Sequence, residues 1–400
     1  MADGSATGFL RTDGRKGIRN HVLVAYLVEC AHHVARAIAA PYAEQGVQLI
    51  GFSGCYPNSY AQDVMDALGT HPNVGGVLLV SLGCEEFDRT RLRDTIAASG
   101  RPVDVAVIQK LGGTRETIAA GRQQVSRMLA EITAVPRVPV DLADLVVATK
   151  CGGSDGTSGL TANPAIGRAA DRLVDGGAAV IFEELGELFG CERHMAERAA
   201  SPELAAAILA VMAKSARYYG TMEHGSFGGG NISGGLSTVE EKSIGAYTKS
   251  GTRPIVGLLK PGLRPPRPGL YLMDMVPDGP VRWGFPNIND TTEVVEMIAC
   301  GAHLTLFSTG RGSVVGSAIA PVIKICANPE TYRRMAGDMD VDAGRLLEGR
   351  GTLEDVADEI IAHVIATARG VPTASEALGH QEFVLGYKHF APAGPACFPA

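Results

Sequence analysis

The run HVLVAYLV at 21–28, followed by VQLIGF (47–52), GGVLLVSLG (75–83) and VDVAVIQ (103–109), decides the fold class. Each is a continuous apolar stretch of strand length. Between them lie segments of helical pattern at 30–44, 59–68, 88–98 and 115–132. Strands apolar on both faces and separated by helices predict a parallel sheet covered on both sides, a doubly wound α/β (Rossmann-like) domain. VPRVPVD (135–141) reads as a linker, so the expected domains are 1–136 and 137–400. The second is also α/β. Its strands are expected at 145–151, 178–184, 269–275, 303–310 and 321–327, and its helices at 163–174, 192–218 and 353–368. Between these lies a glycine-rich segment, 225–250, expected to be an active-site loop, because a long loop in a compact domain is usually functional.

Composition narrows the function classes. The chain has 400 residues, 46% of them hydrophobic, with 50 glycines and a net charge of −7. That acidity argues against a nucleic-acid partner. No apolar run approaches the roughly 18 residues a spanning helix needs, and the first residues lack an apolar signal core. A cytoplasmic protein without a membrane partner is expected. The eight cysteines form no CxxC pair, which excludes a zinc ribbon or thioredoxin motif.

In open parallel sheets, ligands bind beyond the carboxyl ends of the strands. Five expected strand ends run into polar or glycine-rich turns: SGCYPN (53–58), GCEE (83–86), KCGGSDGTSG (150–159), EELGE (183–187) and TGRGSVVG (309–316). Backbone amides at Gly152 and Gly153 suit an anion, and Ser154 or Asp155 can alternatively cap a helix. Arg311, with Thr309 before it, suits bidentate recognition of a carboxylate. In GGGNISGGLSTVEEKSIG (228–245), Ser237 or Thr238 can cap a helix with Glu240 or Glu241 behind, and Lys242 is a candidate base or carboxylate clamp. Glu183, Glu184, Glu187 and Glu192 cluster as hard-metal ligands would, although acids at a helix start also suit its dipole. Asp338, Asp340 and Asp342 alternate as in a calcium loop, but position 349 is glycine, which rules out an EF-hand. The candidate catalytic residues are thus Lys242, Glu241, Ser154 and Asp155. The candidate substrate ligands are Arg311, Thr309, Asn231, Gly152 and Gly153, and the candidate metal ligands are Cys151, Glu184, Glu187 and Asp340. Cys55, Cys84 and Cys151 each follow a strand, and an iron–sulfur cluster on three such thiolates is an alternative metal centre. Cys30, Cys300 and Cys326 are expected to be packing residues. His21, His32, His33, His71 and His224 read as structural.

Several motifs, in this order, make the chain resemble the large, catalytic part of the altronate and galactarate dehydratase family, which includes the large subunit of (2R)-sulfolactate sulfo-lyase. They are GFLRTDGRKGIRN (8–20), TKCGGSDGTSGLTANPAIG (149–167), EELGELFGCE (183–192), GNISGGLSTVEEKSIG (230–245), FSTGRGSVVG (307–316), PVIKICAN (321–328), DMDVDAG (338–344) and EALGHQEF (376–383). The resemblance implies a lyase that eliminates water from a sugar acid, or sulfite in the sulfo-lyase branch, to leave a 2-oxo acid. It implies a divalent metal, usually iron, and a small partner subunit in place of the extra N-terminal domain of many members. A homo- or hetero-oligomer is expected. Two positions depart from the family pattern: Ile232 stands where many members have lysine, an isoleucine there being more like the sulfo-lyase branch, and Arg193 stands where histidine is common. Two other function classes fit the sequence less well. A scaffold subunit would not concentrate polar residues at five strand ends. A dinucleotide oxidoreductase would carry GxGxxG where the first turn reads ECAHHVA.

Overall fold

The computed structural model describes residues 6–220, 228–278 and 289–388. The chain forms two compact units, one of residues 8–138 joined by 277–278 and 383–388, the other of 6–7, 139–276 and 289–382. Among the described residues, no helix is long and apolar enough to cross a membrane.

The first unit is built on four parallel strands, β1 (His21–Tyr26), β2 (Val47–Gly51), β3 (Val74–Ser81) and β4 (Val103–Val107), in the order β2-β1-β3-β4. These are the four apolar runs of the sequence. β3 is buried along its whole length, as a central strand covered on both faces must be. Helices α1 (His32–Ala39), α2 (Ser59–Gly69), α3 (Arg89–Ala98) and α4 (Thr114–Thr133) connect and cover the strands. Val22, Val24, Leu78 and Val80 pack with Ile38 of α1 and Val125 and Met128 of α4 in one core. Burying each such aliphatic side chain contributes about 1.5–3 kcal/mol. The helix expected at 30–44 is interrupted: a 3-10 turn precedes α1, and Pro41 opens a second 3-10 segment that Gly46 ends with a φ of 80°. The expected linker contains a short strand, Arg137–Val140. Cys30 is exposed, not packed, because it falls in that first turn.

The second unit holds seven parallel strands: β5 (Val146–Cys151), β6 (Ala179–Phe182), β7 (Ile255–Leu259), β8 (Gly269–Met273), β9 (Leu304–Thr309), β10 (Val322–Cys326) and β11 (Val341–Asp342), in the order β7-β8-β6-β5-β9-β10-β11. β5, with Lys150 and Cys151 at its end, is the middle strand. Helix α5 (Ala162–Asp175) follows β5. The helix expected at 192–218 is two, Glu192–Glu197 and Pro202–Gly220, because Pro202 lacks the N–H a continuous helix needs. The segment expected to be a glycine-rich loop carries a helical turn at Gly229–Ser233 and the helix α6 (Val239–Thr248). Its first residues, and His224 before them, lie outside the described residues, as does Cys397. Strand β7 and helix α7 (Asp290–Ala299) have no counterpart among the expected elements.

α5 and α6 approach so closely that side chains are excluded between them. A Cβ on Gly167 of α5 would lie 2.1 Å from the Thr248 carbonyl oxygen. The Asn163 side-chain amide donates to the Gly245 carbonyl of α6 at 2.9 Å. Gly167→Ala is therefore expected to destabilise the unit by about 1–3 kcal/mol, the usual cost of overpacking. Thermal unfolding checks this, and an unchanged Tm would show that α6 is free to shift.

Candidate active site

Strand register builds the site. Thr149 pairs with Phe182, so the next residues along, Lys150 and Cys151, lie beside Glu183 and Glu184. The Cys151 amide donates to Glu184 Oε1 at 2.7 Å. Side chains of successive strand residues point to opposite faces. Lys150 accordingly meets Glu293 and Asp290 of α7, while Cys151 meets Lys242 of α6.

On the Cys151 face, the Cys151 thiol donates to Glu187 Oε2 at 3.3 Å and the Ser154 hydroxyl donates to Cys151 Sγ at 3.4 Å. The Lys242 ammonium donates to Glu187 Oε2 at 2.7 Å and to Ser154 Oγ at 2.9 Å, and it lies 3.7 Å from Cys151 Sγ. The Lys249 ammonium pairs with Glu184 Oε2 at 2.5 Å. Lys242 and Lys249 are seven residues apart, close to two helical turns, so one face of α6 presents both. Glu184, with a φ of 87°, is the one non-glycine in the left-handed region among the described residues. Such a conformation costs about 1–3 kcal/mol and persists where surroundings over-determine it. Here Cys151, Lys150 and Lys249 all hold its carboxylate.

On the opposite face, the Lys150 ammonium contacts Glu293, Glu184 at 3.2 Å and Asp290 at 3.6 Å. A Cβ on Gly152 would lie 2.1 Å from Asp290 Oδ2, so glycine at 152 lets α7 reach the strand end.

Burial and charge set the protonation states. Burial works against the Glu184 carboxylate, but Lys249, Lys150 and Lys242 outweigh it and hold its pKa down at about 2. Burial likewise opposes the charge on Lys150, yet Glu293, Glu184 and Asp290 keep it an ammonium well past the usual lysine range. Lys242 is also raised, because Cys151, Glu187 and Glu184 outweigh its burial. In this arrangement it is a proton donor. The Cys151 thiol is pushed up to about 12 by burial, then by Glu184 and Glu187. Burial raises both Glu183 and Glu293; the charge of Glu184 raises Glu183 further and that of Glu183 raises Glu293, so this pair holds a proton to higher pH than an ordinary carboxylate.

Cys151 Sγ and the carboxylates of Glu184 and Glu187 offer ligand atoms within 4.8 Å of one another, the one such group among the described residues. One soft thiolate and two carboxylates on three protein ligands, leaving positions open, suit a catalytic transition metal. A metal deprotonates a coordinating thiol outright, so the high thiol pKa is no obstacle.

Of the sequence candidates, Cys151, Glu184, Glu187, Lys242 and Ser154 converge. The others are placed differently. Asp340 is outside the metal-type group: its carboxylate accepts from the Lys324 amide at 2.7 Å and the Ala374 amide at 2.8 Å, bracing β10. Glu241 is exposed and accepts from the Ser237 amide and hydroxyl, both at 2.8 Å, while Thr238 caps α6. It is a helix-start residue, with no bond to the cluster. Asp155 is buried and accepts from the Thr157 amide and hydroxyl and from Asn328, which ties the loop after β5. The Gly152 amide donates to the Ser308 carbonyl, and those of Asp155, Gly156, Thr157 and Ser158 also have partners inside the protein. The expected anion cradle is therefore largely spent on loop structure. Gly153 accepts from the Gly310 and Arg311 amides, and Thr309 Oγ1 from the Gly312 amide. Asn231 donates to the Ser154 carbonyl at 3.3 Å. The exposed Arg311 guanidinium donates to the Gly230 carbonyl and to Ser233 Oγ. Asn231 thus ties the 228–234 segment to the loop after β5, and Arg311 ties it to the loop after β9. Arg193 pairs with Glu197 on the surface. Cys55 and Cys84 are exposed residues of the first unit and join no metal-type group among the described residues. Cys300 and Cys326 are buried.

Sequence reasoning missed Lys249, Asp290 and Glu293. Lys249 was detectable from its seven-residue spacing after Lys242. Asp290 and Glu293 follow a capping asparagine, Asn289, at the start of a helix that the sequence reading left unassigned.

Buried ion pairs gather at the strand ends of this parallel sheet, where ligands of such sheets bind, and relatives of this chain place it among the lyases. A family model described as "D-galactarate/Altronate dehydratase, C-terminal" matches residues 142–390, and one described as "D-galactarate dehydratase/Altronate hydrolase, second domain" matches 8–133. The chain is 33% identical over 396 residues to the (2R)-sulfolactate sulfo-lyase subunit beta of Chromohalobacter salexigens, covering 94% of this chain and 96% of that one. It is 27% identical over 401 residues to altronate dehydratase of Escherichia coli, covering 96% and 78%. It is 32% identical over 313 residues to galactarate dehydratase (L-threo-forming) of Escherichia coli, covering 76% and 58%. The chain belongs to the D-galactarate/altronate dehydratase family.

Proposed function

We propose that this protein catalyses metal-dependent β-elimination from a 2-hydroxy acid, with Fe2+ held by Cys151, Glu184 and Glu187. The observation that carries this reading is the meeting of that thiol and those two carboxylates with the Lys242 ammonium and the Ser154 hydroxyl in one buried cluster. A divalent ion bound there supplies electrostatic stabilisation for the charge that develops beside the substrate carboxylate as the Cα proton leaves.

The chain's own residues carry the rest. Lys242, fixed by Ser154 Oγ, gives its ammonium proton to the departing β-hydroxyl and, once neutral, takes the Cα proton, so that it ends the turnover as an ammonium again. Lys249 and Lys150 keep Glu184 ionised. Arg311, Thr309 and Asn231 hold the loops in place, and the exposed Arg311 guanidinium, whose Nη1 bonds Gly230 and Ser233, takes the substrate carboxylate. Loss of the Cα proton and of the β-hydroxyl as water leaves an enol, which tautomerises to the 2-oxo acid. The proposed substrate class is a sugar acid of the altronate or galactarate type.

Sulfite release from (2R)-3-sulfolactate is a second reading. It is favoured by end-to-end similarity to the sulfo-lyase subunit beta and by Ile232, 59% exposed where many members are expected to carry lysine. That relative is one subunit of its enzyme, and a small partner subunit is proposed for this chain too.

Anaerobic turnover of altronate, galactarate and sulfolactate with added Fe2+, with and without a small partner, tests both readings. A 2-oxo acid is expected from one of them, with the loss of activity in chelator reversed by Fe2+. Full activity in excess chelator would overturn the metal dependence, and no 2-oxo acid from any of the three would overturn the substrate class.

A further inference from the structure

Each residue of the metal-type triad already has a ligand atom in contact with one of the chain's own cations. Lys242 Nζ is 2.7 Å from Glu187 Oε2 and 3.7 Å from Cys151 Sγ, and Lys249 Nζ is 2.5 Å from Glu184 Oε2. Both lysines are buried, so neither ammonium is shielded by bulk water. A metal bonds a carboxylate oxygen at about 2.1 Å. On Glu187 Oε2, the oxygen that Lys242 touches, it would lie within about 4.8 Å of the Lys242 nitrogen wherever it sat around that atom. Two cations at that range, in a water-poor cluster, repel strongly.

The two lysines are not equally able to yield. Lys249 is the C-cap of α6, and its ammonium pairs with Glu184. Lys242 has a third partner, Ser154 Oγ at 2.9 Å, on which it can remain when its other two contacts are broken.

We propose that Lys242 is the built-in counter-cation of this ligand set, and that a divalent metal binding there displaces its ammonium from Glu187 and Cys151 onto Ser154. The proposal rests on the metal reading above. It adds that ligand set and lysine are rivals for the same donor atoms, and that metal entry frees the lysine assigned to the proton step. Glu187 and Cys151 would then be metal ligands and no longer hydrogen-bond acceptors for the lysine.

The test is calorimetric titration of Mn2+ into the chelator-treated, desalted full chain, comparing wild type with Lys242→Met. The variant is expected to bind one ion at least about tenfold more tightly, which corresponds to about 1.4 kcal/mol. Equal or weaker binding by a folded Lys242→Met variant, with wild type binding normally, would overturn the rivalry and leave the metal site standing. No binding by either protein would overturn the metal site and the rivalry together. A crystal structure of the wild type soaked with Mn2+ needs no variant. Lys242 Nζ beyond hydrogen-bond distance of Glu187 is expected, and a retained 2.7 Å contact beside a bound ion would sink the proposal.

Discussion

Lys150→Met is expected to destabilise the protein by about 3–5 kcal/mol, the usual cost of removing one partner from a buried ion pair. Lys150 is 2% exposed and stands among Glu293, Glu184, Asp290 and Glu183. Its loss leaves several carboxyls in a dry environment without their nearest cation. Such a cost is a large share of the 5–15 kcal/mol that typically separates folded from unfolded chains. Denaturant unfolding, monitored by circular dichroism, reads it. The double variant Lys150→Met/Glu293→Gln is expected to regain part of the loss, because contacting partners are not additive. Additive losses would mean that the pair does not act as a unit.

Cys151→Ser is expected to lower turnover at least about a hundredfold, the upper range seen for removing supporting groups around a metal, and to lower bound metal per chain as well. A hydroxyl preserves most of the volume and can still bond Glu187, so the Tm should change little. The combination separates ligand loss from unfolding. Metal analysis with initial rates checks it, and full metal content at full activity would remove Cys151 from the site.

The sheet architecture was largely legible because parallel strands buried on both faces leave continuous apolar runs. Nine expected strands coincide with β1–β6 and β8–β10 to within a residue or two at each end. β7 was missed because PIVGLL (254–259) is short, begins with proline and contains a glycine, so it reads like a turn. The triad of Cys151, Glu184 and Glu187 was also legible, since two of its members end neighbouring strands and the third lies one turn on. Their partners were harder to read. Lys249 and Glu293 are ordinary helical residues in sequence, and only the packing of α6 and α7 onto opposite faces of β5 turns them inward. Conversely, Asp340 and Glu241 look like functional acids because chemistry and helix capping draw on the same residue types. Which use prevails depends on the backbone amides nearby, and amides do not appear in a pattern of side chains.

The two lysines on α6 have a consequence for how this sequence can drift. Each helical residue turns the chain through about 100°, so one inserted or deleted residue between 242 and 249 would swing one ammonium a quarter-turn or more off the acids. Length changes ahead of Thr238 or after the 249–251 turn leave the pair in phase. The stretch from Lys242 to Lys249 therefore acts as a fixed-length spacer. Substitutions on its outer face are tolerable there, while any change of length between the two lysines is not.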